Sequence, residues 1–303
     1  MIMASLHCFF CIFIALFLSL SFQQGFVAAK GSRCQKLIVD QTGHGNFSTI
    51  QSAIDHVPIN NRNWFCILVS AGTYREKVKI PREKPFIILK GAGKRKTVVV
   101  WNEYNIDNPT FATWAAQIVV KCMSFVNTYN GPKSKNPTAA AAAAAVHGDK
   151  TYFYRCGFSS VQDTLWDESG RHYFKRCSIE GAVDFICGAA QSREEKTDAN
   201  GFVFKNCNVF GTGKALLGRA WRQSARVLFY NCQFADIIDP LGWEAWNGQN
   251  QEQLTFAEYG NRGPGADTSK RVEWERKLSA QAVAQFTSMS YIDNEGWLQS
   301  LPV

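Results

Sequence analysis

The middle of the chain repeats itself, and the repeat limits the fold more than any other feature. Tyr152-Phe153-Tyr154-Arg155-Cys156-Gly157-Phe158 returns as Tyr173-Phe174-Lys175-Arg176-Cys177-Ser178-Ile179, then as Val203-Phe204-Lys205-Asn206-Cys207-Asn208-Val209 and Leu228-Phe229-Tyr230-Asn231-Cys232-Gln233-Phe234. Val119-Val120-Lys121-Cys122 is a degenerate fifth copy. Each unit is a short strand-forming run around one cysteine, and successive cysteines lie 21, 30 and 25 residues apart. Spacing that irregular excludes a propeller and suits coils joined by loops of variable length. The pattern predicts an all-β, single-domain, right-handed parallel β-helix.

Such a solenoid must cover its two apolar ends, and the sequence offers short capping helices. Ser48-Thr49-Ile50-Gln51 reads as a capping box, with Ile50, Ala53, Ile54 and Val57 on one face of a helix that ends before Pro58. Leu278 to Phe286 forms a second helical stretch, and Trp297 is placed to pack over the last turn. Phe65-Cys66-Ile67-Leu68-Val69 and Phe86-Ile87-Ile88-Leu89 are continuous apolar runs, as in strands covered on both sides. The seven alanines from Ala139 to Ala145 have helical propensity but are too local to mark a boundary.

Cys8 to Leu20 is an apolar run followed by Val27-Ala28-Ala29, a small-residue cleavage site. The run is too short to span a bilayer comfortably. Residues 1–29 therefore read as a secretory signal peptide and 30–303 as the mature domain, secreted to the cell exterior with no membrane attachment after cleavage. The presequence holds no Asp, Glu, Lys or Arg, so the net charge of +8 belongs to the mature protein. A basic secreted protein suits an acidic polysaccharide, and no nucleic-acid module is recognisable. Eight cysteines remain after cleavage, an even number that permits disulfides in an oxidising compartment without revealing their pairing. No Cys-x-x-Cys pair or adjacent histidine suggests zinc, and no metal or organic cofactor is expected. Asn46-Phe47-Ser48 is a glycosylation sequon.

The repeat carries a chemical expectation of its own. Asp163 follows Cys156 by seven residues, and Asp184 follows Cys177 by seven. If those units are neighbouring coils, the two carboxyl groups leave equivalent places about 4.8 Å apart along the backbone stack. Stacked carboxylates repel, so one holds a proton near neutral pH, which separates a nucleophile from a general acid. An aspartate chosen blindly is more often a turn cap. The shared offset, and the setting of Asp184 between Val183 and Phe185, favour chemistry.

Gly181-Ala182-Val183-Asp184-Phe185-Ile186, Gln162-Asp163-Thr164-Leu165 and Leu217-Gly218-Arg219-Ala220-Trp221 resemble the signature segments of plant-type pectin methylesterases. Gly72-Thr73-Tyr74-Arg75-Glu76, Asp239-Pro240-Leu241-Gly242-Trp243, Trp246-Asn247-Gly248 and Gly263-Pro264-Gly265-Ala266 are similar to further family motifs in the same order. The resemblance implies Asp184 as nucleophile and Asp163 as general acid and then base. It implies Arg219 as the group that binds and directs the Asp184 carboxylate, and Gln162 as an oxyanion donor. Thr110, Trp221 and Trp246 are implied substrate contacts. The implied substrate is methyl-esterified homogalacturonan; a proteinaceous inhibitor is a further candidate partner, and the chain is expected to act as a monomer.

The pattern breaks in three places. Aligning on Gly148-Asp149 puts Ala140 where the family has an oxyanion glutamine. Loss of one such donor typically costs ~10²–10³ in turnover, so a second reading is a slow or inactive pectin-binding scaffold. Ala220 replaces a family proline, and Cys187 replaces a phenylalanine beside the nucleophile. A β-helix lyase or polygalacturonase would need calcium-binding carboxylates or an inverting aspartate pair with a histidine, and neither is visible.

Overall fold

The computed structural model describes residues 34–104, 107–130, 139–188, 201–221, 224–246 and 250–302. The predicted signal peptide, residues 1–29, lies outside them. Among the described residues every strand pairing is parallel. The first sheet stacks Gln35–Val39, Phe65–Val69, Ile87–Gly91, Ile118–Lys121, Thr151–Tyr154 and His172–Lys175. The second stacks Gly72–Tyr74, Thr97–Trp101, Ser124–Asn127, Gly157–Ser159 and Ser178–Glu180. The third stacks Val78–Ile80, Phe111–Thr113, Ala144–Val146, Leu165–Asp167 and Ile186–Cys187. Each coil visits the three sheets in turn, which is a parallel β-helix, and the residues from Cys34 to Leu301 form one unit.

In-register winding brings like side chains together. Phe153 lies flat on Phe174 with ring centroids 4.8 Å apart, and Phe111 and Phe125 meet at 4.5 Å inside the tube. Cys156 stacks below Cys177, since Tyr154 pairs with Lys175 at the strand end that precedes them. The degenerate unit is displaced by one residue: Lys121 pairs with Tyr154, so Cys122 occupies the left-handed corner held by Arg155 in the next coil, with φ of 57° and 54°. Among the described residues six cysteines are free, and Cys34 joins Cys66 in a disulfide.

Among the described residues, no ladder joins His172–Lys175 to Phe202–Lys205. The later strands form their own stacks: Phe202–Lys205 with Arg226–Tyr230 and Thr255–Tyr259, Asn208–Val209 with Gln233–Phe234, and Gly218–Arg219 with Trp243–Glu244. The core divides at the same place. Phe174, Cys177 and Ile179 edge one apolar cluster, and Phe202, Phe204, Cys207 and Val209 edge the other, all only partly buried.

Three local expectations change. The N-terminal helix spans Ile50–His56, but its cap is Thr49, whose hydroxyl accepts from Ser52 N–H at 3.2 Å, and the Glu76 carboxylate accepts from the Ile50 and Gln51 N–H groups at 2.9 Å each. The second helix spans Ala280–Thr287, and Trp297 covers the outer face of the first sheet instead of the last turn, packing with Leu301 near Ile88 and Val119. That cover explains why those strands read as apolar on both sides. The alanine run is extended, not helical: Ala141 N–H donates to Gln162 O and Ala143 N–H to Thr164 O, and small side chains let neighbouring coils close around it.

Candidate active site

Both aspartates sit in the turn that enters the third sheet. Leu165 pairs with Ile186, Gln162 bridges to Val183, and Asp163 N–H donates to Val183 O at 3.1 Å. Asp163 and Asp184 are therefore direct neighbours on adjacent coils, one strand spacing apart. Each adopts a left-handed backbone, φ 58° and 43°, a conformation that aspartate tolerates better than most side chains. The turn is tight at Gly181, where a Cβ would lie 2.3 Å from Phe185 Cβ and 2.6 Å from the Thr164 hydroxyl. Burial, followed by the negative charge of Asp184, pushes the Asp163 carboxyl up to about 6, against the pull of Arg219.

Arg219 arrives from the second stack, on the strand Gly218–Arg219 beside Trp243–Glu244. Its Nη2 donates to Asp184 Oδ2, and its guanidinium lies 4.0 Å from the centre of the Trp246 ring. Trp246 in turn stacks on Trp221, with centroids 5.7 Å apart and planes 19° from parallel. Trp221 is 58% exposed. Gly218 packs closely on the buried Trp243 ring, which a Cβ at this position would approach to 3.0 Å. Ala220, at the family's proline position, uses the N–H that a proline lacks to reach Glu244 O at 3.1 Å.

Asp163, Asp184, Arg219, Gln162, Trp221 and Trp246 thus come together along one margin of the third sheet. The Gln162 side chain is half-buried and makes no hydrogen bond to a described residue, leaving its amide available. Thr110 is a correction. It is fully buried, and its hydroxyl donates to Val126 O at 3.1 Å, so it belongs to the wall beneath the site and not to its surface. Ala140 lies in the coil before Gln162, one residue ahead of the Ala141 to Gln162 hydrogen bond, and its methyl group offers no donor. Burial and then the two aspartates push the Cys187 thiol up, which leaves it protonated and poorly nucleophilic.

The sequence reading passed over the aromatic strip next to these groups. Trp166 pairs in register with Cys187, and His147 packs edge-on to Trp166 at 5.3 Å and flat on Trp114 at 5.4 Å. Applying the same 21-residue offset to Cys187 would have found Trp166. Beneath the strip, His172 is sealed between Asp167, at Nδ1, and Gly148 O, 3.0 Å from Nε2.

A parallel β-helix with two aspartates and an arginine gathered along one margin is an arrangement suited to an enzyme that works by carboxylate acid and nucleophile chemistry. Comparison with known proteins narrows the class. The family model described as Pectinesterase matches residues 36–192 and 189–295. An Arabidopsis thaliana protein named "Probable pectinesterase 55" is 51% identical over 88% of this chain and 91% of its own length, and "Probable pectinesterase 29" of the same plant is 50% identical over 89% and 90%. The solved pectin methylesterase from carrot superposes with a TM-score of 0.80 at 26% identity, covering 88% of this chain and 96% of that one. The chain belongs to the pectinesterase family, the carboxylic ester hydrolases that remove methyl esters from pectin. Neither comparison nor geometry favours the inactive-scaffold reading over that one.

The alignment to the first relative runs over 301 positions, yet 88% of 303 residues is about 267, so about 34 positions have no counterpart here. The two family matches overlap at residues 189–192, and the described coils of this chain repeat every 21 to 33 residues. That shortfall of about 34 positions is close to the 33-residue length of one coil of this chain.

Proposed function

We propose that this protein is a secreted enzyme that hydrolyses the methyl esters of homogalacturonan in the extracellular wall, with Asp184 as nucleophile and Asp163 as acid and base. An Asp184 oxygen attacks the ester carbonyl carbon while Arg219 holds the other oxygen, so one lone pair is aimed at the substrate. The bond from carbon to methoxyl oxygen breaks, and the leaving oxygen takes the proton held by Asp163, releasing methanol. Asp163, now ionised, takes a proton from water; the hydroxide attacks the acyl carbon, and Asp184 departs as a carboxylate. The free galacturonate leaves and Asp163 is protonated again. The Gln162 amide donates to the tetrahedral oxyanion, and Trp221 and Trp246 supply the apolar platform for a sugar ring.

The observation that carries this reading is the one-rung pairing of the aspartates, with the carboxyl of Asp163 raised to about 6 and Asp184 held by Arg219. A proton donor thus stands beside the carboxylate assigned as nucleophile. The test is methanol release from methyl-esterified polygalacturonate by the purified protein, alongside Ala140→Gln. Release by both, faster in the variant, supports the assignment; no release by either would refute it.

A further inference from the structure

The corner between the first and second sheets, on a different side of the coil from the aspartates, carries cations in register. Lys90 pairs directly with Lys121, and Tyr154 pairs with both Lys121 and Lys175. The next residue in two of these coils is an arginine, Arg155 and Arg176, each in a left-handed corner with φ of 54° and 58°. Lys94 reaches over the adjoining turn to donate to the Ser178 hydroxyl at 3.0 Å. None of these six cations is ion-paired with a carboxylate among the described residues. Lys90, Arg155, Lys175 and Arg176 are exposed.

Like charges directly opposite one another in a ladder destabilise it, each pair by an amount comparable to what a favourable pair contributes. Here the chain stacks Lys90 on Lys121 and Arg155 on Arg176 within successive coils, where uncharged or alternating residues would relieve the repulsion. A polymer with one carboxylate on each sugar, laid along the coil axis, neutralises such a column as no single small anion does. The corner also holds an aromatic ring. Tyr154 lies 5.7 Å from Lys121 Nζ and 5.3 Å from the Arg155 guanidinium, and its hydroxyl accepts from Arg176 Nη1 at 3.4 Å. Lys121 and Arg155 thus lie over the Tyr154 ring and Arg176 reaches its hydroxyl, an aromatic anchor that gathers three cations where an acidic sugar's carboxylate can meet them. Beside it runs a shallow groove of about 330 Å³, floored by the small residues Ser124, Gly157 and Ser178. The one carboxylate lining that groove is Glu180, which accepts from the Ser159 hydroxyl at 3.4 Å.

We propose that this corner is a second binding site, separate from the catalytic margin, for polyuronate whose carboxyl groups are free. The inference rests on the esterase reading in one respect: free carboxylates are what demethylation leaves behind. A stretch already processed at the aspartates is then retained at the corner while the enzyme works on neighbouring esters.

The test uses the full mature chain and fully de-esterified polygalacturonate of about twenty sugars, with binding measured by calorimetry at two salt concentrations. The variants are Lys121→Gln/Arg155→Gln/Lys175→Gln, its charge-reversed form with Glu at the same places, and Tyr154→Ala, each checked by thermal melting. The expected result is at least a tenfold loss of affinity in the glutamine variant and a larger loss in the glutamate variant. Tyr154→Ala weakens polygalacturonate more than dextran sulfate, and methanol release from a methyl-esterified trisaccharide is unchanged throughout. Affinity for polygalacturonate that survives charge reversal in a folded variant overturns the proposal. So does equal loss of polygalacturonate and dextran sulfate in Tyr154→Ala, which marks a corner attractive to any polyanion. If no variant or parent releases methanol while the affinity losses still appear, the second site stands and the esterase reading fails.

Discussion

Replacing Asp163 by asparagine should abolish turnover and yet stabilise the protein at alkaline pH. The carboxyl is raised from the ordinary 3.8 to about 6 by burial and by Asp184, so the folded state binds this proton more tightly than the unfolded chain does. Its favourable contribution is complete below about pH 3.8 and is lost as the pH rises through about 6, above which the ionised group opposes folding. At 1.36 kcal/mol per pKa unit the rise is worth about 3 kcal/mol. Asp163 is only half-buried, and solvent screening leaves about 1.5 kcal/mol of that. Asparagine keeps the shape of the neutral acid without the charge, so Asp163→Asn should gain about 1.5 kcal/mol at pH 8, or roughly 3–6 °C in melting temperature for a chain of this size. At pH 3.5 it should match the parent. Chemical denaturation at both pH values is the assay. A variant that is destabilised at pH 8, or altered equally at both, would refute a carboxyl strained by its neighbour.

Arg219→Lys should lower kcat by about tenfold or more with a smaller change in KM, because an ammonium keeps the charge but loses the planar fork that directs Asp184 and the contact with Trp246; steady-state kinetics on methylated pectin decides it. Phe153→Ala should cost about 3–5 kcal/mol in urea unfolding and Phe174→Ala clearly less, since Phe153 is fully buried and Phe174 stands at the edge of the divided core; equal costs would mean that the two clusters close on each other in solution. For His172, burial alone would push the imidazole down, but Asp167 and the Gly148 carbonyl push it up more strongly. The stability it contributes is complete below pH 6.5 and is lost as pH rises through its higher folded value. His172→Gln should therefore flatten the pH dependence of unfolding above pH 6.5.

Much of this molecule was legible because a β-helix writes its geometry into sequence offsets. The 21-residue return of Tyr-Phe-x-Arg-Cys fixed the register of two coils, and the same offset carried Asp163 onto Asp184. The 25-residue return of Cys207 at Cys232 is likewise in register, since Lys205 pairs with Tyr230. Thr110 was misjudged because a motif position says nothing about which side of a turn a hydroxyl takes. The alanine run was ambiguous because propensity is a weak guide once neighbouring coils supply hydrogen bonds to an extended chain. Trp297 was misplaced because nothing local tells a C-terminal segment which apolar face it will cover.

Methanol release from methyl-esterified polygalacturonate, followed from pH 4 to 9 for the parent and for Asp184→Asn, tests the paired-aspartate chemistry most directly. The account requires parental kcat/KM to fall about tenfold per pH unit above pH 6, as Asp163 loses the proton meant for methanol, and a folded Asp184→Asn that binds substrate without releasing methanol. Release at parental rates by Asp184→Asn, or a profile level from pH 6 to 9, would contradict it.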